Sequence, residues 1–269
     1  MYPRFSARLA LISSLFLIGC ATWLCGGFTA TPSPQATPPV QVSTTAEVRQ
    51  PEKRVTLRNI GYEVEYDPAT HLPACVHYHF RWSERQENQH DRPRSFQPDH
   101  RISQPLLPDF YTKSGLTDQG YQRGHLAASF AIALYYGREA QLETFLMTNI
   151  VPQQGWHNAG IWNTLERIEA NDYPRRYGET ESWTGPIFGP GHETASAGHF
   201  RVPVPTALFK IIRRPDGRCL AFIIPQDGPP IFSKSLPQCL TSVAEIERQT
   251  GLTFPISEPA RSATATRLW

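Results

Sequence analysis

The chain has 269 residues, of which 40% are hydrophobic, and this is enough to bury the core of one ordinary domain. The formal net charge is +2, and Arg4 and Arg8 account for it, because 24 basic residues balance 24 acidic residues in the rest of the chain. This balance excludes binding of nucleic acid through bulk charge, so any anion site must be a local cluster of residues.

The pattern of residues 1–28 predicts an export signal, a lipoprotein signal or a membrane anchor. Two arginines precede the uncharged stretch "LALISSLFLIGCATWLCGGF", which is typical of exported proteins. The letters "LIGC" at 17–20 resemble the bacterial lipoprotein cleavage box, which would place a lipid on Cys20. Three interpretations of this segment are possible: a lipid on Cys20, an uncleaved anchor or a cleaved signal. Each predicts an extracytoplasmic domain that is membrane-anchored, periplasmic or secreted.

Residues 29–50 are rich in Pro, Thr, Ser and Ala and contain no aromatic residue. Such a segment cannot bury enough apolar surface to fold. We expect a disordered linker that tethers the domain to the membrane, with a segment of no particular role as the alternative. The folded domain is expected over residues 51–257, and residues 258–269 form a C-terminal tail.

The apolar patterns of the remaining chain predict a mixture of strands and helices without a regular βα alternation. This mixture predicts the α+β class, with a mixed, mainly antiparallel sheet and flanking helices. Residues 84–120 are polar and rich in proline, and they predict a long ordered loop of the kind that carries function. The predicted elements are a strand pair over 55–82, helices over 126–140, 158–171 and 242–251, a short strand over 143–153 and a hairpin over 207–225.

Three cysteines follow the N-terminal segment, and an oxidising compartment would permit a disulfide bond. We predict that Cys219 pairs with Cys239, because the hairpin and loop between them can bring them together, and that Cys75 is free. His77 and His79 are two residues apart and would share one face of a strand. A metal site there is the less favoured interpretation, because no third ligand is visible at a suitable spacing.

The stretch "MTNIVPQQGWHNAGIWNTLERIE" at 147–169 carries the polar residues that indicate chemistry. Asn149 is predicted to close a strand that Pro152 ends. Asn158 and Glu166 lie on one side of the following helix, about 12 Å apart along a regular axis. This spacing favours Asn158 as a direct metal ligand and Glu166 as a partner that acts through water. Magnesium suits such a site, because it keeps several waters and needs few protein oxygens.

His125 in the preceding segment "YQRGHLAAS" provides an imidazole that titrates near neutral pH and takes a proton from water. Arg123 and the upstream Arg94 are cations suited to phosphate oxygens. A base, one metal ion and anion clamps together predict phosphodiester hydrolysis. The less specific interpretations are a core histidine for His125, a helix cap for Asn158 and surface ion pairs for the arginines.

Three motifs occur in order, namely "QRGH" at 122–125, "TNIVPQ" at 148–153 and "NAGIWNTLE" at 158–166. In this order they resemble the DNA/RNA non-specific endonuclease family, whose active site is a ββα-metal motif. The segments "RSFQPD", "SWTGPIFG" and "AEIERQTGL" resemble further parts of that family. The resemblance extends from about residue 55 to residue 254, which is nearly all of the predicted domain.

The resemblance implies a magnesium-dependent enzyme, with manganese as an alternative ion, that cuts DNA and RNA through contacts with the phosphate backbone. It implies that Asn158 is the single direct metal ligand and that His125 is the general base. It also implies supporting roles: Glu166 orients metal-bound water, Arg94 and Arg123 bind phosphate or the leaving group, and Asn149 supports the site.

Gln122 departs from the family pattern, which usually has Asp at this position. The loss of a carboxylate removes one negative charge beside the histidine and the metal. A catalytically weak nucleic-acid-binding protein on the same fold is therefore an alternative. A phosphodiesterase of another class that acts on small nucleotides is a third possibility.

Overall fold

A computed structural model describes residues 53–86 and 91–269, which all belong to the compact unit Val48–Trp269. Its centre is a seven-stranded sheet in the order β1-β2-β3-β6-β9-β10-β11, and every pairing in it is antiparallel. Two small antiparallel sheets, β4-β5 and β7-β8, accompany it. The strands are β1 Val55–Asn59, β2 Tyr62–Asp67, β3 Leu72–Arg81, β4 Tyr121–His125, β5 Ile150–Gln154, β6 Glu179–Ile187, β7 Thr194–Ala197, β8 Phe200–Pro203, β9 Ala207–Arg213, β10 Cys219–Pro225 and β11 Leu240–Thr241.

Helices flank the sheet, and the predicted α+β class with a mainly antiparallel sheet is confirmed. A π-helical turn at His157–Trp162 leads directly into α3. The helices are α1 Phe110–Lys113, α2 Ser129–Glu143, α3 Asn163–Asn171, α4 Tyr173–Tyr177 and α5 Val243–Thr250, and short 3-10 turns occur at Trp82–Glu84, Met147–Asn149 and Ser233–Cys239.

The alternation of side chains along β3 defines two faces of the main sheet. Tyr78 and Phe80 point into the larger hydrophobic core, which also contains residues of α2 and α3. We call this side the front face. Cys75 points the other way, into a smaller core to which α5 contributes Val243 and Ile246. We call this side the back face.

Two local features of the front-face elements differ in detail from the predicted pattern. The predicted helix over 126–140 is present as α2, in which Gly137 forms a kink between two helical stretches with a φ of 84°, a conformation that glycine adopts without strain. The second stretch continues to Glu143. Asn149 precedes β5 instead of closing it, and Pro152 lies inside β5. Proline is tolerated there because β5 is an edge strand with a neighbour on one side only.

The predicted disulfide between Cys219 and Cys239 is not formed, and the cysteines of the described residues are all free. The register explains this result, because Phe222 pairs with Leu240 and Ala221 with Thr241. Cys239 therefore lies opposite the middle of β10, whereas Cys219 begins that strand. About four residues of strand, or roughly 13 Å, separate the two positions, which is beyond the reach of a disulfide.

The segment 258–269 packs against the domain. The ring of Trp269 contacts Tyr173 and Tyr177, at centroid distances of 5.3 and 5.6 Å, and the guanidinium of Arg214 lies 4.9 Å from it. The predicted signal or anchor at 1–28 and the linker at 29–50 lie outside the described residues. In the part that is described, no helix has the length and apolarity needed to cross a membrane.

Candidate active site

The antiparallel strand pair β4-β5, which contains α2 in its connection and is called the hairpin below, and the helical segment that follows it form the scaffold of the site. In the hairpin, His125 pairs with Ile150 and Gln122 pairs with Gln153. Gln226 fastens the hairpin to the main sheet, because its Oε1 accepts a hydrogen bond from the Gln154 backbone at 3.0 Å and its Nε2 donates to the Pro152 carbonyl at 3.0 Å. The arrangement is therefore a strand-strand-helix unit held rigidly beside the sheet.

Gly124 is required by the packing of this hairpin. A Cβ atom at this position would overlap the side chain of Gln153. Gln153 donates a hydrogen bond to Nδ1 of His157 at 2.8 Å, and Nε2 of His157 donates to the Ile224 carbonyl at 3.1 Å. Burial lowers the pKa of His157 to about 4, which keeps its ring neutral and fixes this tautomer. The glycine beside His125 thus allows the hairpin and the π-helical turn to lock together.

Asn158 and Gln122 contact each other directly. The Nδ2 group of Asn158 donates a hydrogen bond to Oε1 of Gln122 at 2.8 Å. The Oδ1 atom of Asn158 has no hydrogen-bond donor among the residues that the structure describes. An amide oxygen held in this way is a suitable ligand for a hard divalent cation. The residues present therefore fit a hydrated cation with Asn158 as its protein ligand.

The helix that carries Asn158 is irregular. Asn158 lies in the π-helical turn, and Gly160 within that turn has φ −100° and ψ −106°, outside the helical region. The separation of about 12 Å expected for Asn158 and Glu166 on a regular helix does not apply to this backbone. Single π-helical turns inside α-helices occur frequently at functional sites.

His125 is the last residue of β4 and is 7% exposed. The rings of Phe145 and Phe96 pack against it at centroid distances of 4.8 and 5.4 Å. Its Nε2 atom is sealed from solvent and has no partner among the described residues. Burial, assisted by the charge of Arg92, lowers the pKa of His125 to about 3. The ring is therefore neutral near pH 7 and does not titrate there in the free protein, contrary to our expectation.

Asn149 is completely buried and fixes the chain immediately after His125. Its Oδ1 accepts a hydrogen bond from the Ala127 backbone at 2.9 Å, and its Nδ2 donates to the carbonyls of Ala127 at 3.1 Å and Thr144 at 2.9 Å. These contacts match the supporting role that the resemblance implies for this residue.

Glu166 is buried in α3 and is 8% exposed. Burial raises the pKa of Glu166 to about 8, and Glu169 acts in the same direction while Lys210 opposes it. Glu169 itself is fully paired, with Oε2 2.6 Å from Nζ of Lys210 and Oε1 3.0 Å from the Tyr78 hydroxyl. This pair anchors α3 to β3 and β9 through the front-face core.

The arginines are arranged differently from the expectation. Arg123 donates from Nε and Nη2 to the Pro108 carbonyl at 3.0 and 2.7 Å, and it lies over the rings of Phe96 and Tyr111. Arg94 is exposed and forms no hydrogen bond or ion pair with any other described residue. In this geometry Arg123 shapes the loop, and Arg94 remains available to a ligand.

Arg92 is a site residue that the sequence did not identify. Its charge acts on both His125 and Glu166, lowering the pKa of each, and its guanidinium lies 5.1 Å from the centroid of Phe145. The letters "DRPR" at 91–94 contain both arginines, but their order does not show which one lies against Phe145 and acts on His125 and Glu166. That choice depends on how the loop crosses the front of the hairpin.

Two observations relate the site residues to one another. Gln122 of the hairpin is hydrogen-bonded to Asn158, and the charge of Arg92 acts on both His125 and Glu166. The structure thus brings the base candidate, the ligand candidate and the buried carboxyl around one hairpin and one helix. A rigid strand-strand-helix unit with these groups is the arrangement of a ββα-metal nuclease.

Comparisons with known proteins agree with this assignment. A family model for the DNA/RNA non-specific endonucleases, which are metal-dependent nucleases, matches residues 41–260. The chain belongs to the DNA/RNA non-specific endonuclease family. The match covers the hairpin, the π-helical turn and α3, together with the main sheet.

Curated relatives include "Nuclease EXOG, mitochondrial" of Danio rerio, 30% identical over 210 residues, which are 72% of this chain and 59% of the relative. "Endonuclease G, mitochondrial" of Homo sapiens is 30% identical over 154 residues, which are 53% of this chain and 51% of the relative. The chain therefore spans between half and three-fifths of these relatives. A chain in the crystal structure of the EndoG/EndoGI complex has a TM-score of 0.64 at 25% identity, covering 76% of this chain and 87% of that one.

Proposed function

We propose that the protein is an exported, membrane-tethered endonuclease that hydrolyses phosphodiester bonds of DNA and RNA with little sequence specificity. It uses Mg²⁺, with Mn²⁺ as an alternative ion. The observation that carries this proposal is the Asn158 amide, which Gln122 holds by its nitrogen so that its oxygen remains free beside the hairpin of His125.

Asn158 would hold the ion through Oδ1, with water and substrate phosphate as the other ligands. When bound, the ion supplies positive charge that stabilises the developing charge on the phosphate and on the leaving oxygen. Gln122 restricts the Asn158 side chain to one orientation. The Oδ1 atom of Asn158 is therefore already oriented before the ion binds, and binding costs little further side-chain entropy at this residue.

His125 accepts a proton at Nδ1 from the water that attacks phosphorus, because Nε2 is sealed. The ring is already neutral in the free protein, so every molecule near pH 7 is in the basic form. A bound phosphate brings negative charge close to the ring and raises the pKa of His125 from its low value. Substrate binding thus increases the basicity of His125 at the step that requires it.

Arg92 supports the buried carboxylate of Glu166, and Arg94 binds a phosphate of the nucleic-acid backbone from its exposed position. Arg123 positions the loop through the Pro108 carbonyl. These residues recognise phosphate, which every nucleotide carries, and none of them reads a base. Little sequence preference follows from this recognition.

Export and tethering rest on residues 1–28 and 29–50. Fractionation of cells that produce the full chain is expected to place the nuclease in the membrane fraction, outside the cytoplasm. Substitution of Cys20→Ala releases it if a lipid on that residue is the tether and leaves it in the membrane if the apolar segment is an uncleaved anchor. Recovery of the full chain in the cytoplasm would contradict this part of the proposal.

A plasmid-nicking assay tests the catalytic part. Wild-type protein is expected to cleave with Mg²⁺ and to lose cleavage in chelator. The variant His125→Ala is expected to lose about 10²- to 10⁴-fold in rate, the range typical of a general base. His100→Ala, which removes an exposed histidine, is the matched control and retains the wild-type rate. Full activity of the His125→Ala protein would contradict the mechanism.

A catalytically weak nucleic-acid-binding protein is the second candidate, and two observations favour it. Gln122 lacks the negative charge of the usual Asp, and two phenyl rings pack against His125. Under this alternative the wild-type chain binds DNA but does not cleave it with Mg²⁺, Mn²⁺ or Ca²⁺. Cleavage by the wild-type chain excludes it.

A further inference from the structure

The back face of the main sheet carries a second group of metal-ligating side chains. His77 and His79 project from β3, and Glu181 projects from β6 opposite His79. The Nε2 atom of each histidine lies 2.9 Å from Oε1 of Glu181, and the three candidate ligand atoms all lie within 4.8 Å of one another. In the described part of the chain this is the cluster of three ligating side chains that can hold a metal ion.

Glu181 is the third ligand that the sequence pattern lacked. It is 104 residues from His77 along the chain, so no spacing rule connects it with the two histidines. The antiparallel pairing of β3 with β6 brings the residues together, and the period of two keeps His77 and His79 on one side. The sheet therefore builds the cluster on rigid strands and not on loops.

Two imidazole nitrogens and one carboxylate oxygen are the donor set of many zinc sites that keep a position open for water. Ligands at about 2.0 to 2.2 Å in a tetrahedral arrangement are roughly 3.3 Å apart. The observed separation of 2.9 Å between each Nε2 and Oε1 is within a few tenths of an ångström of this value. Small rotations of the rings are enough to admit an ion.

The surroundings hold the three ligands in position. The His77 ring is stacked on Trp183 with a centroid distance of 5.0 Å and an interplanar angle of 16°. Arg213 forms an ion pair with Oε2 of Glu181, which leaves Oε1 to the histidines. A cleft of about 290 Å³ beside His79 and Glu181 provides room for water at open coordination positions.

The ionisation of Glu181 suits a metal ligand. Burial acts to raise its pKa, but the contacts with His77, His79 and Arg213 outweigh burial and hold it well below the usual range. These contacts therefore favour the ionised form of the Glu181 carboxylate. The positive charge of Arg213 repels a metal ion bound beside it, so we expect the cluster to bind the ion with moderate affinity.

We propose that His77, His79 and Glu181 bind a divalent transition-metal ion of the zinc type, with water completing the coordination. The ion fastens β3 to β6 and is distinct from the catalytic cation, because the cluster lies on the back face, whereas Tyr78 between the two histidines points into the front-face core that contacts α3. This site does not depend on the proposed nuclease function.

Titration of the metal-free full chain with Zn²⁺ and with Co²⁺ tests the proposal. Wild-type protein is expected to bind one equivalent of Zn²⁺ at this cluster. With Co²⁺ in place of Zn²⁺, it is expected to show the visible absorption that is characteristic of low-coordinate Co²⁺. His79→Ala is expected to lose both signals. His100→Ala, as matched control, and Asn158→Ala, which removes the catalytic ligand, both retain them.

Thermal unfolding provides a second measurement. Saturation with Zn²⁺ at a hundredfold excess over Kd is expected to raise the Tm of the wild-type chain by about 5 °C or more. Far-UV circular dichroism confirms that His79→Ala is folded, and its Tm is expected not to respond to Zn²⁺. The proposal is overturned if wild type binds no Zn²⁺, or if His79→Ala and Glu181→Gln bind it as wild type does.

Discussion

Glu166 and Glu169 lie three residues apart on α3, and both are buried, but their environments differ. Glu169 forms an ion pair with Lys210 at 2.6 Å and accepts a hydrogen bond from the Tyr78 hydroxyl. Glu166 forms no ion pair with any described residue, and burial raises its pKa to about 8. The same residue type on one helix thus serves two purposes. Glu169 anchors the helix, whereas Glu166 is buried without an ion-pair partner among the described residues, at a cost in stability that is common for functional residues.

The largest effect is expected from breaking the anchor. Lys210→Met leaves the Glu169 carboxylate buried without a counter-ion and should lower the free energy of unfolding by about 3 to 5 kcal/mol. Urea denaturation measures this change. Arg248→Met, which removes an exposed pair with Glu245, is the control and should cost at most about 1 kcal/mol. Similar losses for the two variants would contradict the anchoring role of Lys210.

Glu166→Gln is expected to lower the cleavage rate by about 100-fold. It is also expected to stabilise the protein, whereas Lys210→Met destabilises it. The folded-state pKa of about 8 is raised above the unfolded value near 4.5. Ionisation therefore destabilises wild type progressively as the pH rises from about 4.5 to 8. The stability gain of the glutamine variant should be near zero below pH 4.5 and should reach at most about 5 kcal/mol above pH 8, since one pKa unit corresponds to about 1.4 kcal/mol.

Urea denaturation at pH 4 and pH 8.5 checks this dependence, and nicking assays check the loss of activity. A stability gain that is equal at both pH values would show that ionisation of Glu166 is not its cause. Loss of stability at pH 8.5 would show that Glu166 is an anchor like Glu169.

Gln122→Asp extends the comparison to the other end of the site. A carboxylate at this position still accepts the hydrogen bond from Asn158 and adds negative charge beside the cation, so the cleavage rate should rise about tenfold at limiting Mg²⁺. Gln119→Asp adds the same charge at an exposed position of the preceding turn and should leave the rate unchanged. Equal rates for wild type and Gln122→Asp would show that the missing charge has no role.

The smallest effect is expected for Arg94→Ala, because this side chain is exposed and has no partner in the described structure. The affinity for DNA should fall two- to threefold, and the slope of log K against log salt should decrease by about 1. Fluorescence anisotropy at several salt concentrations measures both quantities. An unchanged slope would show that Arg94 does not contact phosphate.

The sequence predicted the parts of the site that depend on local structure. His125, Asn149, Asn158 and Glu166 lie in or next to β4, β5 and the helical segment after β5, so the three ordered motifs group them although α2 separates β4 from β5. The antiparallel sheet was likewise visible in the alternating patterns of β2 and β3, because a half-buried strand shows its faces directly.

The remainder depended on the path of the chain over long distances. Phe96 buries His125, and Arg92 approaches Glu166, only because of the route of the loop before β4. The pairing of β3 with β6 supplies Glu181, and the register of β10 with β11 separates Cys219 from Cys239. No periodicity or motif contains these registers, since they are set by packing of the whole sheet.

Single-turnover cleavage of plasmid DNA by Asn158→Ala, measured across a Mg²⁺ titration, tests the central claim most directly. The account predicts a loss of about 10³-fold or more that added Mg²⁺ does not restore, in a protein whose circular dichroism and Tm match wild type. Cleavage by Asn158→Ala within threefold of the wild-type rate would contradict it, because the catalytic cation would then be held elsewhere.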